Sequence, residues 1–303
     1  MRDLQEIYNS EQFKNIDFIA KQLVEGFITG LHRSPYHGFS VEFAEHRIYN
    51  TGESTKHIDW KLFARTEKLF VKRYEEETNL RCQIIIDTSS SMMYPFNENI
   101  NKLNFSIFSS AALINLLKRQ RDAVGLSLIS EDIEFHIDAK LSSRNNSLIY
   151  SQLEKLLSKN EKSKGTNISV LLHELAERIH KRSLVIIFSD MLETSNIDNL
   201  FESLNHLRFK QNEIIIFHLK DKNTEQEFKF NNRPHKFVDL ETNEEIKLSP
   251  NEVKEMVNEK FSEFQKQIKL KCGQYNIGFI EVDINESFDQ ILLPYLLKRQ
   301  KMI

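Results

Sequence analysis

Two uninterrupted apolar runs, Ile84-Ile85-Ile86 and Leu184-Val185-Ile186-Ile187-Phe188, each give way to an aspartate: Asp87 after the first, and Ser189-Asp190 after the second. A run without polar alternation is a strand covered on both faces, the mark of a parallel sheet with helices on either side. A third such run lies at 214–217. Leu103, Ile107, Ala111 and Ile114 stripe a helix after the first run, and further helices are expected at about 144–158 and 168–181. Val124, Leu126 and Leu128, then Ile133, Phe135 and Ile137, alternate around Ser130-Glu131-Asp132 and predict a hairpin. A long helix over about 250–271, a strand at 277–282 and a helix at 288–298 complete the series. The fold expected is α/β, a doubly wound, mostly parallel sheet of Rossmann-like type over residues 81–303. The stretch 221–248 departs from this alternation, and its Phe237–Leu240 and Ile246–Leu248 suggest an extra hairpin.

Residues 1–80 read differently. Ile19, Leu23, Phe27 and Leu31 repeat at helical spacing over about 12–31, ending near Gly30 and Pro35. Strand-like runs at 39–49 and 68–76 flank a short helical piece near 58–64. This is a small α+β accessory module, too charged and too short to hold an independent core, so it is expected to pack on the larger domain.

In an open α/β sheet, ligands bind at the carboxyl ends of the strands, where the strand order reverses. Asp87-Thr88-Ser89-Ser90-Ser91, the loop piece Gly165-Thr166-Asn167 and Ser189-Asp190 are all placed at such ends. Alternate residues of an extended chain point the same way, so Asp87, Ser89 and Ser91 can converge, with Thr166 and Asp190 supplied by neighbouring loops. Two carboxylates and three hydroxyls make an all-oxygen set for a hard divalent cation, Mg²⁺ or else Mn²⁺ or Ca²⁺. The set resembles the MIDAS, the metal-ion-dependent adhesion site of von Willebrand factor A (vWA) domains. Few anionic ligands leave such an ion an electrophilic open position that a partner's carboxylate can fill. The competing reading of the first piece is a Ser-rich helix N-cap region, where Asp and Ser are also favoured.

The N-terminal module carries a sharper family pattern. His32-Arg33-Ser34, His37-Gly38-Phe39-Ser40 and Glu42-Phe43 lead into Arg47-Ile48-Tyr49; Gly52, Ile58-Asp59-Trp60-Lys61, Ala64-Arg65-Thr66 and Phe70-Val71-Lys72 follow. This resembles the DUF58 family, bacterial proteins with a vWA-like domain, continuously into Asp87–Met92 and strongly from about 20 to 190. Glu53-Ser54 and Lys56 stand where the family usually has Asp-Asp and Arg. Members are often encoded beside MoxR-type AAA+ ATPases, in some bacteria within aerotolerance (Bat) operons. The resemblance therefore implies a non-enzymatic partner or adaptor of a MoxR-type ATPase, and possible company with Bat-type vWA proteins. Arg47, Tyr49, Gly52, Asp59, Trp60 and Arg65 are its motif residues. Arg47 and Arg65 are expected to meet carboxylates, Asp59 foremost, and Trp60 to anchor the packing.

Composition narrows the alternatives. A net charge of −3 gives no basic surface for nucleic acid. Cys82 and Cys272 lack CxxC spacing, as in a reducing compartment. The first residues have no apolar signal core, and no stretch reaches the roughly 20 apolar residues of a membrane helix, so a cytoplasmic protein without an integral membrane segment is expected. His173 and His180 are seven apart, not at the zincin spacing. Two other functions compete: an Mg²⁺-dependent hydrolase, for which the sequence offers neither a Walker A loop nor a neighbouring general base, and a structural scaffold with a vestigial metal site.

Overall fold

The computed structural model describes residues 16–31, 46–48, 60–72, 80–96, 100–158, 167–192, 197–238 and 244–300. The chain divides into two compact units, Gly30–Asn79 on the one hand and Met1–Thr29 with Leu80–Ile303 on the other.

The larger unit is built on a six-stranded sheet. Its strands are β3 (Arg81–Asp87), β4 (Ala123–Ile129), β5 (Ile133–Lys140), β6 (Leu184–Ser189), β7 (Glu213–Lys220) and β10 (Gly278–Asp283), in the spatial order β10-β7-β6-β3-β4-β5. All neighbours are parallel except the β4–β5 hairpin, which folds back antiparallel at one edge. From β3 the chain winds one way through β4 and β5, then returns to the other side through β6, β7 and β10. The strand order therefore reverses between β3 and β6, which is the switch point of a doubly wound sheet.

Both faces are covered, as the continuous apolar strands require. Ile85, Ile187 and Ile216 point to one face. There they share a core with α5 (Ile168–Arg178), α6 (Ile197–Phe209) and the later turns of α7 (Pro250–Gln274), through residues such as Leu172, Leu204 and Ile268. The alternate strand residues turn to the other face, which α3 (Lys102–Arg119) covers. There the ring of Phe105 stacks on Phe288 at 4.7 Å, just before α8 (Asp289–Gln300). Helix α4 (Ser143–Leu157) lies beside α3.

Helix α1 (Ile16–Leu31) belongs to this unit as far as Thr29, whereas the sequence grouped it with the N-terminal module. Its Ile16, Ile19, Ala20 and Val24 are buried. The Ile16 amide donates to Glu154 of α4, and Glu25 pairs with Arg119 of α3. An amphipathic helix takes whatever apolar face is open to it, and α3 with α4 supplies one. The extra hairpin in 221–248 is present as β8 (His235–Val238) and β9 (Glu245–Leu248), paired antiparallel.

Within the smaller unit, β1 (His46–Ile48) pairs antiparallel with β2 (Phe70–Lys72), with α2 (Trp60–Thr66) between them in sequence. No helix among the described residues is long and apolar enough to cross a membrane.

Candidate cation site at the switch point

Asp87 is the last residue of β3 and Asp190 the first after β6, so adjacent parallel strands deliver both carboxylates to the same edge of the sheet. Both are buried, with 4% and 2% of their surface exposed. Burial is more complete than a strand-end position beside solvent suggests, because the loop after β3 closes over it. Thr88 fastens that loop to the end of β4: its amide and its hydroxyl both donate to the Ile129 carbonyl, at 2.7 and 3.0 Å. Residues Ser90–Met93 then form a single 3₁₀ turn.

The turn brings two of the expected ligands, Ser89 and Ser91, around the carboxylates. The Ser89 amide donates to Asp87 Oδ1 at 3.0 Å, and the Ser89 and Ser91 hydroxyl oxygens lie 3.1 Å apart. A hydrogen bond from Ser91 to Asp190 closes the ring from β3 to β6. Ser189, quoted in the sequence only as part of the strand end, has a role of its own. Its hydroxyl donates to Asp87 Oδ2 at 2.7 Å and accepts the Met191 amide. The backbone turns sharply just beyond Asp190, with Met191 at φ 54, and the Leu192 amide donates to Asp190 Oδ1. A non-glycine residue there carries a strain of order 1–3 kcal/mol, accepted where it fixes the carboxylate. Asp87, Ser89, Ser91 and Asp190 therefore come together. Thr166, the fifth expected ligand, lies outside the described residues.

Two further groups complete the site. Lys102, the first residue of α3, has no exposed surface, and its ammonium sits 2.6 Å from Asp190 Oδ2 and 2.7 Å from Glu225 Oε1. A cation at the positive end of a helix is unfavourable on dipole grounds, so the carboxylates hold it there. The helix start is itself fixed: the Lys102 amide donates to the Tyr94 carbonyl, and Asn101 caps the Asn104 amide. Glu225 comes from the π-helical turn Lys222–Gln226 after β7, and its second oxygen accepts the Asp221 amide at 2.7 Å.

The charges do not balance. The cluster holds three carboxyl groups, Asp87, Asp190 and Glu225, and one ammonium, which contacts Asp190 and Glu225. Burial, and then the charge of Asp190, push the Asp87 carboxyl up to about 6. Burial alone would raise Asp190 as well, but Lys102, helped by Ser91 and the Leu192 amide, holds it below the usual carboxylate range. Glu225 is raised by burial, only partly offset by Lys102. Lys102 in turn overcomes its own burial through Asp190 and Glu225 and is held above the usual lysine value. His218 on β7, in register with Ser189, is buried with both ring nitrogens unpartnered, and desolvation lowers it to about 4. It is neutral and adds no positive charge. The cluster is thus an oxygen-rich site with buried negative charge in excess, which fits a further cation. Among the described residues no group of three His, Cys, Asp or Glu side chains is arranged to ligate a metal, and the donor set here leans on hydroxyls instead.

The family motif residues are separately placed. Arg47 is in β1, and Arg65 is exposed in the last turn of α2. Tyr49, Gly52 and Asp59 lie outside the described residues, and with them the expected Arg–Asp59 pairing. Trp60, expected as a packing anchor, opens α2 with 60% of its surface exposed and meets Phe63 of the same helix edge-on at 6.1 Å.

The family described as "Protein of unknown function DUF58" matches residues 45–268. The chain belongs to the DUF58 family. It is 20% identical over 185 residues to the uncharacterized protein Rv1480 of Mycobacterium tuberculosis and to Mb1516 of Mycobacterium bovis, covering 60% of this chain and 57% of the length of each. Among solved structures it is similar to BatB of Bacteroides thetaiotaomicron, with 14% identity and a TM-score of 0.44, over 74% of this chain and all of that one. It is also similar to an aerotolerance-related membrane protein of Bacteroides fragilis, with 16% identity and a TM-score of 0.41, over 71% of this chain and 97% of that one. The α/β assignment stands on the chain's own strand order.

Proposed function

We propose that this DUF58 chain is a non-enzymatic, metal-dependent protein-interaction module that works with a MoxR-type AAA+ ATPase and, in some settings, with Bat-type vWA proteins. The observation that carries the reading is the meeting of Asp87, Ser89, Ser91 and Asp190 at the switch point, with more buried negative charge than Lys102 neutralises. Asp87 and Asp190 would hold a divalent ion with the hydroxyls of Ser89 and Ser91, and Mg²⁺ suits a small set of oxygen donors. Such an ion supplies an electrophilic position for a carboxylate of the partner. Ser189 and the Ser89 amide hold Asp87, and the Leu192 amide holds Asp190, so the donors need little rearrangement.

A hydrolase needs a base aimed at a metal-bound water. Two of the ionisable neighbours here are already committed, Glu225 to Lys102 and the Asp221 amide, and Asp190 to Lys102, and His218 is fully buried on the adjoining strand. That favours binding over turnover. The test is co-precipitation with the MoxR-type ATPase encoded in the same genome, with Mg²⁺ or with EDTA. Wild type should retain the ATPase only with Mg²⁺, and Asp87→Ala should lose it in both. Equal retention by wild type with and without EDTA refutes the metal bridge.

A further inference from the structure

The ammonium of Lys102 and a divalent ion would draw on the same carboxylate. Lys102 Nζ lies against Asp190 Oδ2 with neither side chain open to water, so no solvent screens the contact. Two cations on one carboxylate repel. The second partner, Glu225, is anchored independently of Asp190, through the Asp221 amide. Asp221 is itself held by the Asn285 side chain and by Thr224, so the turn carrying Glu225 is a fixed post. The Tyr94 ring, 5.9 Å from the ammonium, adds a third favourable contact that does not involve Asp190. Lys102 can therefore give up Asp190 and remain paired.

Resting on the metal-binding reading above, we propose that Lys102 is the resident cation of this site, that it competes with the divalent ion for Asp190, and that Glu225 retains the ammonium when the ion enters. Lys102 then sets the ion affinity, and a site that keeps its own cation stays folded when no metal is present. A lysine with a purely structural role would stabilise the fold without altering ion affinity.

Titration calorimetry with MgCl₂ or MnCl₂ alone, on the full chain, separates the two. Lys102→Met should bind the ion at least about tenfold more tightly than wild type, within the usual range of coupling between two ligands of one site. It should also melt at a lower temperature in EDTA and recover more on adding the ion than wild type does. Glu225→Gln should act in the opposite direction: the ammonium then leans wholly on Asp190, and ion binding weakens. Glu225→Gln also decides the matter if Lys102→Met does not fold. Ion binding by a folded Lys102→Met that is equal to or weaker than wild type overturns the proposal, as does unchanged or tighter binding by Glu225→Gln. If wild type binds and neither variant differs from it, competition alone fails. If neither wild type nor Lys102→Met binds any ion, the metal reading fails and competition falls with it.

Discussion

Two buried polar clusters lie in the same sheet, and they differ in what is left over. In the first, Gln83 of β3 reaches across β4: its amide donates to Ser127 Oγ at 2.9 Å and to the Ile137 carbonyl at 3.2 Å. Ser127 meets His136 Nδ1 at 2.9 Å, and His136 Nε2 meets Asp138 at 3.3 Å. The chain runs from a buried amide outward to a partly exposed carboxylate, and nothing in it asks for a ligand. In the second, Asp190 and Glu225 hold one ammonium, Asp87 stands beside Asp190, and negative charge remains. A satisfied neutral network rigidifies a fold, while an unbalanced charged one marks a place where something binds. Burial alone does not separate these roles. Counting donors, acceptors and charges does.

The largest expected effect lies in the neutral cluster. A Cβ on Gly125 would stand 2.1 Å from Gln83 Oε1 and 2.6 Å from backbone atoms of both Ala139 and Ile137. Gly125→Ala should therefore force β5 away from β4 and cost about 3 kcal/mol or more, read by urea unfolding, with the same loss in Mg²⁺ and in EDTA. A loss that Mg²⁺ repairs would mean the two clusters are not independent. Gln83→Leu is smaller. It strips Ser127 and the Ile137 carbonyl of their donor and should cost roughly 1–3 kcal/mol, again without altering any ion response.

The pH dependence sharpens the contrast because the two clusters slope in opposite directions. Asp87 is raised from 3.8 to about 6, so the folded state holds its proton more tightly than the unfolded chain. Its contribution to metal-free stability is largest below pH 4 and falls as pH rises to about 6, at roughly 1.4 kcal/mol per pH unit. His136 is lowered, chiefly by desolvation, so its contribution is lost as pH falls below its ordinary 6.5. Subtracting the stability curve of Asp87→Asn from that of wild type, both in EDTA, isolates the Asp87 slope. A flat difference between pH 4 and 6 would contradict the electrostatics of the site. At pH 7 the substitution itself should be nearly neutral or slightly stabilising, within about 1 kcal/mol, because it removes a buried charge beside Asp190.

Much of this was legible in the sequence where the signal is local. The strands of the sheet, the β4–β5 hairpin and the long α7 follow from apolar periodicity, and Asp87 and Asp190 from their positions at strand ends. Lys102 and Glu225 were not found. A lysine opening a helix reads as solvated, and only its mismatch with the helix dipole hints otherwise. Glu225 lies 123 residues from Lys102, in the one stretch that breaks the α/β alternation. Contacts of that separation are set by winding order, which no local pattern encodes. Helix α1 illustrates the same limit: its apolar face is plain in sequence, but the surface of α3 and α4 that receives it is assembled from distant sequence.

The central claim is that the switch-point site binds a divalent cation through Asp87 and its neighbours. Mn²⁺ titration followed by electron paramagnetic resonance, on wild type and Asp87→Asn, addresses it most directly. Wild type should take up one Mn²⁺ that Mg²⁺ displaces, and Asp87→Asn should leave the Mn²⁺ signal that of the free ion. Identical uptake by the two proteins, or none by wild type, would contradict it.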